Sequence, residues 1–254
     1  MAIFYVFTFV LGLVIGSFIN VVLFRLDREG GIFLGRSKCT KCLARLKWYD
    51  LFPLFSYLQI KGRCRYCKKK LSAIYPIVEL TTACVITLYF LMNGLGLGAL
   101  SLYSLFILLL LVMLVFFDIL YLIIPDKVTL LMVASSFLFL SFAGRSHFYN
   151  GLISAFIFGT FFAMIYIISK GEWMGLGDAK LSFAIGLILG YPFGLFAIII
   201  SVWVAALFGT LLMALKKADL KTALPFGSFL SAVTILFVIF QNEIQKIQFI
   251  NLFF

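Results

Sequence analysis

Charge is scarce in this chain. Ten acidic and 21 basic residues stand among 254, so that 12% of the sequence is charged and 64% hydrophobic. Soluble domains carry about 25% charged and about 45–50% apolar residues, and the shortfall excludes a water-soluble globular protein. Histidine is nearly missing. His147 is the single example, and the topology derived below puts it across the membrane from the candidate site, where it cannot act as a base. No glycine-rich dinucleotide fingerprint occurs. The first apolar run, Ile3–Phe24, lacks the basic start of a signal peptide, and Arg25 follows where small cleavage-site residues would stand. It reads as a retained span.

What the chain has instead is long apolar runs. Hydropathy predicts an all-α, polytopic membrane protein of about eight spans, each near 20 residues. They are Ile3–Phe24, Ala73–Met92, Leu97–Phe117, Lys127–Phe142, Gly151–Ile168, Ala179–Gly190, Phe193–Leu215 and Ala223–Phe240. The sixth is short and glycine-rich, and only Gly190-Tyr191-Pro192 separates it from the seventh. Three regions follow: a first span (1–26), a hydrophilic loop (27–72) and a seven-helix part (73–254). Threading eight spans puts 13 Lys and Arg from Arg25 to Lys70 on one side. Lys127, Lys170, Lys180, Lys216, Lys217 and Lys221 join them, leaving Arg145 and Lys246 on the other. By the positive-inside rule the loop is cytoplasmic and both termini are extracytoplasmic. The net charge of +11 is therefore explained by topology and a lipid bilayer partner, not by nucleic acid.

Two acids sit at span ends. Asp118 closes the third span, and Asp178 opens the sixth in Gly175-Leu176-Gly177-Asp178-Ala179-Lys180. Ionisable side chains at membrane depth are costly and mark function, and the threading brings both to the cytoplasmic face. Gly175 and Gly177 are expected to let the backbone leave helical geometry beside Asp178. Two carboxylates sharing one proton would form an aspartic protease site; a proton-coupled transporter is the alternative, without a visible internal repeat to support it. For Asp178 a helix cap is the plain reading, and Asp126 after Pro125 reads as a structural helix start. Lys180, about 200° around a helix from Asp178, is not expected to be its partner. Glu79 is open: it supports a site, or pairs with a basic loop residue.

The hydrophilic loop holds Cys39-Thr40-Lys41-Cys42 and Cys64-Arg65-Tyr66-Cys67. Four thiolates in a reducing compartment predict a closed, structural zinc site, with metal-free thiols as the alternative and disulfides as the poorer one. Cys84 reads as apolar packing. The aromatic stretch Leu46–Tyr57 is expected to form a hairpin at the membrane interface.

Taken together, Gly16-Ser17-Phe18-Ile19-Asn20-Val21-Val22 with Arg25, the two knuckles, Gly62-Arg63-Cys64, Tyr75-Pro76-Ile77-Val78-Glu79, Phe117-Asp118 with Ile124-Pro125-Asp126, the Gly-Leu-Gly-Asp stretch and Leu224-Pro225-Phe226-Gly227 resemble the type IV prepilin leader peptidases, aspartic proteases of the membrane. The resemblance runs from residue 16 to about 230. It implies an endopeptidase of the bacterial cytoplasmic membrane that removes the short basic leader of prepilins or pseudopilins after a glycine. It also implies, for many members, methylation of the new N-terminus from S-adenosylmethionine. Asp118 and Asp178 take the catalytic positions, supported by Gly175, Gly177, Pro225 and Gly227. Gly62, Arg63 and Glu79 become candidates for methylation. Two departures stand out: Thr40 and Ser228 occupy positions where the family usually has proline, and neither is expected to touch the acids. Which prepilins are cut, and the oligomeric state, are not written in the sequence.

Overall fold

The computed structural model describes residues 2–26, 38–39, 41–217, 219 and 222–245. The start of the cysteine loop at Asp27, Thr40, and the two charges at Lys221 and Lys246 lie outside them. Every expected apolar run falls on a helix. In order these are α1 (Ala2–Arg25), a 3-10 turn (Trp48–Leu51), α2 (Phe55–Gln59), α3 (Ile74–Asn93), α4 (Ala99–Tyr121), α5 (Asp126–Ala143), α6 (Arg145–Ile168), α7 (Leu176–Leu189), α8 (Phe193–Ala214) and α9 (Phe226–Gln245). Among the described residues extended pairing is limited to two isolated bridges. The chain is an all-helical, multi-pass membrane protein.

Seven of these helices are long and apolar enough to cross a bilayer. Among the eight expected spans the exception is α7, whose 14 residues reach about 21 Å, short of a hydrocarbon core of about 30 Å. Helix boundaries also shift the acids. α4 continues one turn past Asp118, until Leu122 adopts a left-handed conformation (φ 52°) and donates its N–H to the Asp118 carbonyl. α7 begins at Leu176, so Gly177 is helical and only Gly175 leaves helical geometry. The aromatic stretch between the knuckles is not a hairpin: it is the 3-10 turn followed by α2.

The chain divides into two compact units, Met1–Leu95 and Gly96–Phe254. In the first, α1 packs on α3 through glycines one turn apart. A Cβ at Gly12 would lie 2.5 Å from Ala83 Cα, and one at Gly16 would lie 2.7 Å from Glu79 Cα. Lipid removes most of the hydrophobic drive for helix pairing, so such backbone approach supplies the attraction by dispersion. In the second unit α4 packs on α9, and α7 packs against α5, α6 and α9. Leu108, Leu111, Leu181, Ile185, Leu230 and Ile239 are fully buried there. Phe161, Ile167, Trp203 and Leu207 point outward, as lipid-facing residues do. Several hydroxyls inside the spans bond to the preceding turn, as Thr234 does to the Leu230 carbonyl, while those of Thr87, Ser182 and Ser231 are buried without a partner among the described residues.

Candidate active site and metal centre

Asp118 lies in the last turns of α4 and is only 5% exposed. A carboxylate cannot sit in such a place without donors, and the start of α9 provides them. The Ser228 N–H donates to Asp118 Oδ2 at 2.6 Å, and the Gly227 N–H points at the same carboxylate. Helix N-termini expose unsatisfied N–H groups and the positive end of the dipole, so they hold anions. The arrangement needs a residue without a side chain beside the acid: a Cβ on Gly227 would come within 3.2 Å of Asp118 Oδ2. Pro225, just before α9, gives its carbonyl to the Ser228 hydroxyl and fixes that first turn.

Asp178 is the third residue of α7, half-buried. Gly175, the N-cap, donates its N–H back to the Asp178 carboxylate, so the acid does serve its helix end, from the first turn and not as the cap itself. Asp118 is the neighbouring acid whose charge acts on Asp178. Two carboxyl groups from helices 60 positions apart in sequence are thus electrostatic neighbours. Ile124 packs against the glycines next to both acids. A Cβ at Gly177 would lie 3.0 Å from Ile124 Cβ, and one at Gly227 would lie 2.6 Å from Ile124 Cδ1. Ile124 therefore occupies the space left by both glycines. Its sequence signal is its place in Ile124-Pro125-Asp126, one of the stretches that carry the family resemblance.

Ser228 corrects an expectation. The sequence leaves this departure clear of the acids, yet its backbone N–H donates to Asp118 Oδ2. Proline has no N–H, so a proline here could not make this bond. Lys180 pairs with Asp126 at 2.6 Å, which ties the first turn of α7 to that of α5. On the same face Leu176, Ala179 and Phe183 line an apolar groove of about 640 Å³ with Thr129, Phe156 and Thr160. Neither acid of the pair lines it.

In the first unit the two cysteine motifs fold into one unit repeated 25 residues apart. Cys39 N–H donates to the Ala44 carbonyl and Cys64 N–H to that of Lys69, while Leu43 and Lys68 return bonds to Cys39 and Cys64. Bridges join Lys38 to Arg45 and Arg63 to Lys70, and Leu43 and Lys68 take left-handed φ values of 59° and 60°. This repetition brings the Sγ atoms of Cys39, Cys42, Cys64 and Cys67 within 4.8 Å of one another. A tetrahedron with metal–sulfur arms of about 2.3 Å has edges of about 3.8 Å, so the four thiols fit one ion, and the all-sulfur set suits zinc. Burial works against the Cys39 thiolate, but N–H groups of Cys42 and Lys41 aimed at its sulfur hold its pKa down at about 7. Such a thiol is ready to ligate at neutral pH.

The linker is stapled to the second knuckle through Asp50, which lies 3.0 Å from the Arg65 guanidinium and accepts the Tyr66 hydroxyl at 3.0 Å. Gly62 sits in the left-handed region (φ 66°), and a Cβ there would meet the Tyr57 hydroxyl at 2.9 Å. Arg63 is exposed beside it. Among the described residues Glu79 pairs with no basic loop side chain. It accepts the Leu54 N–H at 2.7 Å and a hydrogen bond from the Ser17 hydroxyl. Cys84 is exposed on α3 and is not part of the packed interior.

A pair of acids on membrane-type helices and a four-thiol module in one chain define a class, and sequence comparison gives it a family. Residues 10–93 match the profile of the bacterial peptidase A24 N-terminal domain, and residues 105–210 that of the type IV leader peptidase family. A prepilin leader peptidase/N-methyltransferase of Bacillus subtilis is 31% identical over 239 residues, covering 93% of this chain and 94% of that protein. Another, from Aeromonas salmonicida, is 29% identical over 252 residues, 88% of this chain and 86% of that protein. The chain belongs to the type IV leader peptidase family, and so is a peptidase by descent. No solved structure matches it.

Proposed function

We propose that this protein is an aspartic endopeptidase that removes the basic leader of prepilins or pseudopilins at the cytoplasmic face, with Asp118 and Asp178 as the catalytic pair. The observation that carries the reading is the shared neighbourhood of the two acids, with the N-terminus of α9 engaging one of them. In this reading the two carboxyls share one proton and titrate as a unit, as closely placed acids do. The ionised member takes a proton from water, whose oxygen attacks the scissile carbonyl carbon. The protonated member donates to the carbonyl oxygen, and the amine leaves with a proton once the C–N bond breaks. Asp118 Oδ2 is occupied by the Ser228 N–H, which leaves its other oxygen for the water and the shared proton. Gly175, Gly177, Pro225 and Gly227 support the pair by giving Asp118, Asp178 and Ile124 their places.

The same reading counts the short, packed α7 as an eighth crossing, and so makes residues 27–72 a cytoplasmic zinc module, with both termini extracytoplasmic, and residues 73–254 the peptidase part. By family likeness the freed N-terminus then receives a methyl group. S-Adenosylmethionine, when bound, supplies that methyl from a sulfonium, and Gly62 and Arg63 are read as shaping the second knuckle for this step.

The test uses purified full-length protein in vesicles, a peptide spanning leader and apolar segment, and mass measurement of the products. Asp118→Asn and Asp178→Asn should each lower leader removal at least a thousandfold while the helix content and melting profile stay those of the wild type. Cleavage within tenfold of wild type by either variant would remove that aspartate from the chemistry.

A further inference from the structure

Acids in the first unit are few, and the basic residues around them are many. Asp50 is matched by Arg65 and Tyr66. Glu79 is different: it is 7% exposed and its partners are a backbone N–H and a serine hydroxyl, both neutral. Beside it lies a second anomaly. The Asn20 side chain, 5% exposed, donates Nδ2 to the Tyr75 carbonyl at 3.0 Å, while its Oδ1 is buried with no partner. Tyr75 and Glu79 are one turn apart on α3, so the amide lies along the stripe that carries the carboxylate. A buried acceptor without a donor costs about 1–3 kcal/mol, and one a helical turn from a carboxylate that has no cation among the described residues asks for a group rich in N–H.

The cover over this spot is strained. Leu54, whose N–H caps Glu79, has φ 58° and ψ −50°, and Phe55 N–H bonds back to the Pro53 carbonyl at 2.5 Å. That is a γ-turn of the positive-φ kind, rare and strained for a branched residue. This turn holds the Leu54 N–H on Glu79 Oε2, an oxygen that would be free without it.

We propose that Glu79 and Asn20 form a seat for a primary ammonium group, closed in the resting state by the Leu54 turn. Three ammonium hydrogens match the Glu79 carboxylate and the Asn20 Oδ1. The proposal rests on the peptidase reading, because the substrate brings the ammonium: a lysine of the basic leader, or the amine freed by cleavage. A leader lysine held here would answer how a basic leader approaches a basic loop.

Glu79→Gln tests it in the full-length protein, in vesicles of phosphatidylethanolamine and phosphatidylglycerol with S-adenosylmethionine present. Glutamine keeps an acceptor for Leu54 and Ser17 and removes the charge. Two peptides are compared, one with leader lysines and one with glutamines in their place. If the ammonium is a leader lysine, KM for leader removal rises about tenfold to a hundredfold with kcat retained, and only for the lysine peptide. If it is the freed amine, methyl incorporation falls by that factor with both peptides. The seat is overturned if neither quantity moves, or if KM rises equally with both peptides, as loss of a structural latch would give. Asn20→Ala carries the same comparison should Glu79→Gln not fold. A wild-type protein that cuts neither peptide overturns the peptidase reading itself, a failure visible before any variant is made.

Discussion

The two chemical centres of this molecule are built in opposite ways. The four-thiol module is local: two copies of one short backbone pattern, 25 residues apart, present four like ligands with no position left open. The acid pair is assembled from α4 and α7, and the donors to Asp118 come from α9, 110 residues away at Ser228. In the first centre the site and the fold are the same interactions. In the second, the helices pack through their apolar cores and the acids are added to a scaffold that stands without them. Removing a ligand should therefore unfold the first, and removing an acid should silence the second.

The largest effect on stability is expected from Cys64→Ser. Metal binding to a structural thiolate set contributes folding free energy on the order of 10 kcal/mol at neutral pH, and Cys64 is 2% exposed at the centre of its knuckle. Wild-type protein should hold one zinc per chain, and the variant should lose it and become open to protease between Lys41 and Leu71. A strong chelator should reproduce the loss. If well-folded wild-type protein contains no zinc, or the variant resists protease as the wild type does, the module is not held by metal and the contrast drawn above fails.

This difference in construction also explains what the sequence disclosed. The knuckles were legible because spacing alone encodes a local site, and the spans because apolar runs of this length have one physical use. Asp118 and Asp178 were legible as costly charges at span ends. Ile124 was not, since a branched apolar residue in an apolar chain carries no signal of its own, and its role appears only when Gly177 and Gly227 meet it from two helices. The orphan Oδ1 of Asn20 and the turn at Leu54 were hidden for a similar reason: a residue type does not announce an unmet hydrogen bond or a backbone angle. The hairpin expected between the knuckles failed because aromatic content does not distinguish a strand pair from the turn and short α2 that form.

A middle-sized effect isolates the donor that sequence reasoning dismissed. Ser228→Pro removes the N–H that holds Asp118 Oδ2 at 2.6 Å and leaves the Gly227 N–H in place. Hydrogen bonds to charged groups contribute about 1.5–3 kcal/mol, so kcat should fall about tenfold with little change in KM. Ser228→Ala is the control, for it loses only the hydroxyl bond to the Pro225 carbonyl and keeps the N–H; its kcat should stay within about threefold of wild type. Equal losses in the two variants would mean that the hydroxyl, by fixing the turn, matters and the amide does not.

The smallest effect should come from the charge nearest to Asp178 in sequence. Lys180→Gln breaks the ion pair with Asp126, whose two side chains are 42% and 73% exposed. Exposed pairs contribute about 0–1 kcal/mol and are screened by salt, so the melting temperature should drop by a few degrees at most, and by less in high salt. Lys180 projects about 200° around α7 from Asp178, so kcat should remain within about twofold of wild type. A tenfold loss of kcat at unchanged stability would show that the pairing of α5 with α7 sets the position of Asp178, and that the acid pair depends on its surroundings as closely as the thiols depend on theirs.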